Sequence, residues 1–106
     1  MMRFTSYLQD HSLTVVLTGE IDHHCAKEYI RAIATKIEVF SPRVCILDFE
    51  NVTFMDSSGI AVVINALRNM TRIQGQLHVC GLQNQPMRVF LAAGMDKLVT
   101  IKEVSH

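Results

Sequence analysis

No Lys/Arg cluster, no Cys-x-x-Cys pair and no long uncharged apolar run occurs in this chain of 106 residues. Each absence removes a class of function. Ten basic and ten acidic residues balance to a formal charge of zero, so the electrostatic footprint of a nucleic-acid binder is missing and no direct nucleic-acid contact is expected. Cys25, Cys45 and Cys80 are odd in number and unpaired in spacing, which argues against a disulfide framework and a zinc ribbon. Cys45 and Cys80 fall inside apolar strand patterns and read as small core residues. His23, His24 and Cys25 are metal-ligating types. Adjacent side chains seldom converge on one ion, however, and no distant ligand cluster completes a tetrahedron, so neither a metal nor a cofactor is expected. No stretch is long and charge-free enough to span a bilayer. Met1-Met2-Arg3-Phe4 opens no apolar segment with a small-residue cleavage site, so a cytoplasmic location is expected.

Motifs for catalysis are missing as well. There is no G-x-x-x-x-G-K-[ST] run to cradle a nucleotide phosphate. A serine hydrolase needs a G-x-S-x-G elbow or an equivalent with a positioned base, and Ser58 follows Asp56-Ser57 with no identifiable catalytic histidine. No catalytic activity of its own is therefore expected of the chain.

What is present is an apolar half, 49% of residues, enough for one core, and residues 1–106 are expected to form one domain without repeat or linker. Phe4 to Leu8 and Leu13 to Leu17 alternate as two strands around Gln9-Asp10-His11-Ser12, a hairpin pattern. Beyond Gly19-Glu20-Ile21-Asp22 the period becomes helical: Ala26, Ile30, Ile33 and Ile37 share a face, and the helix should end before Ser41-Pro42. Val44 to Phe49 is nearly continuous in apolar residues, as in a central strand covered on both faces. A second helix runs from Ile60 to Ile73, ending near Gly75. Gln76 to Cys80 forms a strand. Asn84 should cap a third helix with Pro86 in its first turn and Gly94 just past its end, and Leu98 to Ile101 closes the pattern as a strand. A hairpin followed by alternating helices and strands predicts an α/β fold with a mixed, mostly parallel sheet.

Asp56-Ser57-Ser58-Gly59 stands where the central strand gives way to the second helix. The first N–H groups of a helix lack internal partners and the helix dipole adds positive charge there, so the position suits an anion. A phosphate on either serine would bring a charge of about −1.5 to −2 to it. Asp56 either caps the helix or also orients the Ser58 hydroxyl, and Ser57 either bonds locally in the turn or is itself the acceptor. Along the helix, Ile60, Val63, Ile64, Leu67 and Met70 or Thr71 suffice for a core face, leaving Val62, Asn65, Asn69 and Arg72 opposite. Ala61 and Val62 are then surplus apolar residues. They belong either to a helix buried on more than one side or to a weakly polar patch beside Ser57, Ser58 and Asn65 that seats a partner. Asp22, His23 and His24 also follow a strand; they form a helix cap and first turn, or a partner-contact loop beside the serines.

Gly19-Glu20-Ile21-Asp22-His23-His24 and Phe54-Met55-Asp56-Ser57-Ser58-Gly59-Ile60, at this separation, resemble the STAS domain of bacterial anti-sigma factor antagonists, most of all those of sporulation in endospore formers. The likeness extends over nearly the whole chain, including Val79-Cys80 and Arg88-Val89-Phe90. It implies a single STAS domain and a partner switch: the unphosphorylated protein captures an anti-sigma factor that is itself a serine kinase related to histidine-kinase ATPases, phosphorylation breaks the capture, and a PPM-type serine phosphatase restores it. The serine before the glycine is the acceptor in that family, which implies Ser58, with Ser57 as runner-up. Together with the weakly polar patch on the second helix, the expected partner surface comprises Asp22, His23, His24, Asp56, Ser57, Ser58, Gly59, Ala61, Val62 and Asn65. A STAS scaffold or transport-associated domain without sigma-factor control is the other reading of the same resemblance.

Overall fold

Strand order follows sequence order across one sheet, and this arrangement determines where everything else lies. The computed structural model describes residues 4–102. Its sheet has five strands in the order β1 (Phe4–Gln9), β2 (Ser12–Ile21), β3 (Val44–Met55), β4 (Gln76–Cys80) and β5 (Thr100–Lys102). β1 and β2 are the expected antiparallel hairpin, and β2 to β5 run parallel. Helices α1 (Ala26–Phe40), α2 (Ser57–Arg72) and α3 (Asn84–Ala92) make the crossovers. Each crossover advances one strand in the same direction, and the right-handed rule for such connections puts successive helices on one side of the sheet. α1 packs on α2, and α2 on α3.

The two sheet faces therefore differ. Leu13, Val15, Leu17, Cys45, Leu47, Phe49, Leu77 and Val79 point under the helices and are buried, together with Ile33, Ile37, Val63, Met70 and Phe90 from the helices themselves. The alternate residues form rows on the open face, one of them Tyr7, Thr14, Ile46, His78 and Thr100. Cys45 is fully buried, and burial pushes its thiol up to about 12. Cys80 is not a core residue as its apolar setting suggested. Period-two alternation after Val79 turns it to the open face, half-buried, where burial and Asp48 raise its thiol to about 11.

Three further expectations change. β3 runs to Met55, six residues past the apolar stretch, because β4 ends opposite Asp48 and the strand continues as a two-stranded arm with β2. Asn84 does not cap α3: Gln83 is the N-cap, without a side-chain bond, and Asn84 lies in the first turn at φ 53. A short polar residue tolerates that left-handed conformation, so the asparagine serves the turn into the helix. The last strand is Thr100–Lys102, preceded by a 3₁₀ turn at Met95–Lys97 that leaves Leu98 exposed.

His78 carries a titration that the fold makes consequential. Its Nε2 lies 3.3 Å from Gln76 Oε1, while its buried Nδ1 has no hydrogen-bond partner among the described residues. Desolvation, with the nearby Lys102 charge, holds its pKa below the usual histidine value. The unfolded chain thus binds this proton more readily than the folded one. The contribution to stability is present above the unfolded pKa of about 6.5 and is lost as pH falls toward the lower folded value. Urea unfolding between about pH 7.5 and about pH 5.5 should show the wild type losing more stability than His78→Gln; equal slopes would mean that the half-buried imidazole does not govern this window.

Candidate functional site

Two loops meet at the carboxyl end of the β2–β3 arm. Ile21 and Met55 are direct partners in the last rung, and the Asp56 N–H donates to the Ile21 carbonyl at 3.2 Å. Asp22-His23-His24 and Asp56-Ser57-Ser58 consequently leave the sheet side by side, at the end where open α/β sheets present their ligand-binding crevices.

Asp56 builds the start of α2. It is extended, with φ −106 and ψ −165, and its Oδ1 accepts from the Ser58 N–H at 2.7 Å. Its carbonyl accepts from Gly59 N–H at 2.9 Å. A carboxylate at this place satisfies an orphan donor and opposes the positive end of the helix dipole. The capping role expected of Asp56 is thus present, and it alters the phosphate expectation: the Ser58 N–H is already engaged by a carboxylate. Ser57 is exposed and Ser58 half-buried.

Behind the serines the helix is tightly seated. A Cβ added at Gly59 would lie 2.9 Å from both Cβ and Sδ of Met55. Gly59 is buried, so it lets α2 approach β3 and presents no side to a partner. Val62 is also a correction: it is 1% exposed, with Val63, Ala66 and Met70, while Ala61 is exposed and Asn65 half-exposed. The core stripe is wider than one face because α2 lies against both the sheet and the flanking helices α1 and α3.

On the other loop, Asp22 Oδ1 accepts from the His24 N–H at 2.9 Å, and the Asp22 carbonyl receives the N–H groups of Cys25 and Ala26. Desolvation works to raise the Asp22 carboxyl. The His24 N–H, the His24 charge and bonds from Cys25 outweigh it, leaving the pKa lowered. The exposed rings of His23 and His24 lie tilted at 37° to each other with centroids 4.0 Å apart. Cys25 ends the loop as the N-cap position of α1, and its thiol donates to the Glu20 carbonyl at 3.4 Å. Desolvation, with Asp22 beside it, raises its pKa, the opposite of a reactive thiolate. Among the described residues no group of three His, Cys, Asp or Glu side chains is arranged to hold a metal ion, and no helix is long and apolar enough to cross a membrane.

The STAS domain family matches residues 4–106. The chain belongs to the STAS domain family. An anti-sigma-B factor antagonist of Listeria monocytogenes is 30% identical over 95 residues, covering 90% of this chain and 82% of the relative. An anti-sigma F factor antagonist of Paenibacillus polymyxa is 28% identical over 89 residues, covering 84% and 76%. Among solved structures, the anti-sigma factor antagonist SpoIIAA in its unphosphorylated form superposes with a TM-score of 0.76 at 20% identity, covering 99% of this chain and 90% of that one. The phosphorylated form of the Bacillus cell fate determinant SpoIIAA gives 0.76 at 24% identity, covering 98% and 93%. At these identities the structures establish the fold.

Two residues of the candidate site escape sequence reasoning. Gln85, in the first turn of α3, accepts from the Met55 N–H at 2.9 Å and donates to the Met55 carbonyl at 2.8 Å. Both groups of one strand residue point to the same side, where β4 has already ended. The side-chain amide therefore stands in for the missing strand, and the backbone polarity fixes which way it faces. No periodicity marks such a residue. Phe54, 39% exposed at the end of the arm, is an apolar surface residue three positions before Ser57; its place in the motif was legible and its exposure was not.

Gln85→Ala should leave both Met55 groups without their partner and cost about 1–3 kcal/mol. Equilibrium unfolding measures that loss, and amide exchange at Met55 and Asp56 should accelerate beyond the global change. Exchange rising uniformly over the chain would mean that the brace has no local effect.

Proposed function

We propose that the chain is an anti-sigma factor antagonist whose unphosphorylated form captures an anti-sigma factor with serine kinase activity, and that phosphate on Ser58 ends the capture. The observation that carries the proposal is the position of Ser58: half-buried in the first turn of a helix, on one rim with the Asp22-His23-His24 loop. Family membership and relatives named for anti-sigma-B and anti-sigma F factor antagonism support the same reading. The protein acts as a kinase substrate in the cytoplasm, a PPM-type serine phosphatase resets it, and it does no catalysis of its own.

Asp56 gives the switch its sign. A phosphate on Ser58 arrives beside the carboxylate that already holds the Ser58 N–H, and two like charges close together repel. The phosphate is driven outward into the partner surface of Asp22, His23, His24, Ser57, Ala61 and Asn65, joined by Phe54. Leaving such a charge in a desolvated contact costs about 3 kcal/mol, or roughly a hundredfold in affinity. Similar TM-scores to SpoIIAA in both phosphorylation states support a switch that leaves the fold in place.

Titration of the cognate anti-sigma kinase should give tight binding to wild type and a loss of about a hundredfold with Ser58→Asp. Equal binding by both would exclude sigma-factor control through this serine and favour a scaffold role for the STAS domain. With kinase and ATP, Ser57→Ala should still accept phosphate and Ser58→Ala should not; the reverse moves the acceptor to Ser57.

The burial contrast on α2 supplies a separate check. Ala61→Asp should keep the wild-type unfolding curve and weaken capture about tenfold or more. Val62→Asp should destabilise the fold by about 3 kcal/mol or more, because it buries an unpaired charge. Circular dichroism melts alongside the same binding titration distinguish the two, and unchanged capture by Ala61→Asp would remove this turn of α2 from the partner surface.

A further inference from the structure

β1 forms one margin of the sheet, and among the described residues no strand pairs with its outer side. Exposed edges usually carry a lysine, a proline, a bulge or very short length, which prevent pairing with another chain. Phe4-Thr5-Ser6-Tyr7-Leu8-Gln9 contains no charged residue and no proline. Its register with β2 runs unbroken from Phe4 opposite Leu17 to Gln9 opposite Ser12. Tyr7 is 55% exposed and Leu8 46%. The other margin, β5, carries a lysine, Lys102, within its described residues Thr100–Lys102.

Beside β1 lies α1, which runs back along β2 and therefore in the same direction as β1. The Tyr29 hydroxyl donates to the Thr18 carbonyl at 3.1 Å, and the Tyr29 ring meets Phe4 edge-on at 6.4 Å. These contacts put the start of β1 level with Tyr29, so the middle of the strand lies level with the turn of α1 that follows. A shallow groove between the two elements is lined by Phe4, Glu28, Arg31, Ala32, Thr35 and Lys36. Glu28, Ala32 and Lys36 are four residues apart and share one stripe of the helix.

We propose that this margin is a two-fold interface with a second copy of the chain, formed by antiparallel pairing of β1 with β1 and flanked by Glu28 and Lys36 of the two α1 helices. A two-fold axis through the middle of β1 joins two sheets edge to edge and sets the two α1 helices antiparallel on one side. With Ala32 nearest the axis, Glu28 of each copy faces the Lys36 end of the other. The stripe is its own complement, acid–small–base against base–small–acid, as an isologous interface requires. Unpaired backbone groups of one β1 are satisfied by the other, the mode by which an exposed edge recruits an added strand. None of the residues in this seam belongs to the rim around Ser58, so both rims stay open.

Sedimentation velocity of the intact chain from about 1 µM to about 1 mM tests the assignment. The expected result is a reversible dimer, weakened about tenfold by Glu28→Lys and by Lys36→Glu singly, since each puts like charges across the seam twice. The double exchange Glu28→Lys/Lys36→Glu restores opposite charges and should return the wild-type affinity. All three variants change exposed or half-exposed helix residues, and circular dichroism verifies their folding. A chain that remains monomeric throughout overturns the proposal. So does a dimer indifferent to the single reversals, or one that the double exchange fails to restore.

Discussion

Parallel pairing of β2 with β3 as far as the Ile21–Met55 rung is the constraint on which the candidate site depends. Without that rung the two loops would leave the sheet independently. With it, a backbone bond from Asp56 to Ile21 ties the start of α2 to the end of β2. The arm extends beyond β4, and that extension has a cost, because strand groups on its far side lose their neighbour. Gln85 supplies a paired donor and acceptor at Met55, the last residue before the loop. The serines thus stand on backbone fixed on one side by a strand and on the other by a side-chain amide from α3.

The same few residues explain why α2 begins where it does. The helix period alone points to Ile60, yet the helix starts at Ser57 because Asp56 takes the Ser58 N–H and Gly59 admits Met55. Cap and glycine serve packing, and in doing so they hold Ser58 half-buried with its backbone position determined. A serine placed by a cap is also a serine placed beside a carboxylate. On the proposed reading, stability of the helix start and repulsion of an added phosphate have one source.

Much of this was legible in the sequence, and the limits follow from what periodicity measures. Hairpin, three helices and the central strand follow from apolar spacing, since spacing reports which side of an element is covered. Val44 to Phe49 showed the covered part of β3 and stopped there, because Glu50 and Asn51 are exposed once β4 has ended. Val62 was ambiguous for a related reason: a helix covered by a sheet and by neighbouring helices buries more than a single stripe, and the second set of contacts comes from elements distant in sequence. Asp56 as a cap is a local matter and was read correctly. Gln85 was invisible, because its two bonds span thirty residues of chain to a backbone whose need for them arises only from the unequal lengths of β3 and β4.

A switch that works by surface charge makes a particular demand on its scaffold. If the loop carrying Ser58 were mobile, a phosphate could swing away from the contact and the energetic difference between the two states would shrink toward that of a solvated surface charge, which is small. Large discrimination needs the charge held where the partner must desolvate it. The Asp56 cap, the Gly59–Met55 contact and the Gln85 brace all act against such movement. On the proposed reading, their combined effect is to convert one modified hydroxyl into a binding penalty without a change of fold, which would account for so much local packing around a single serine.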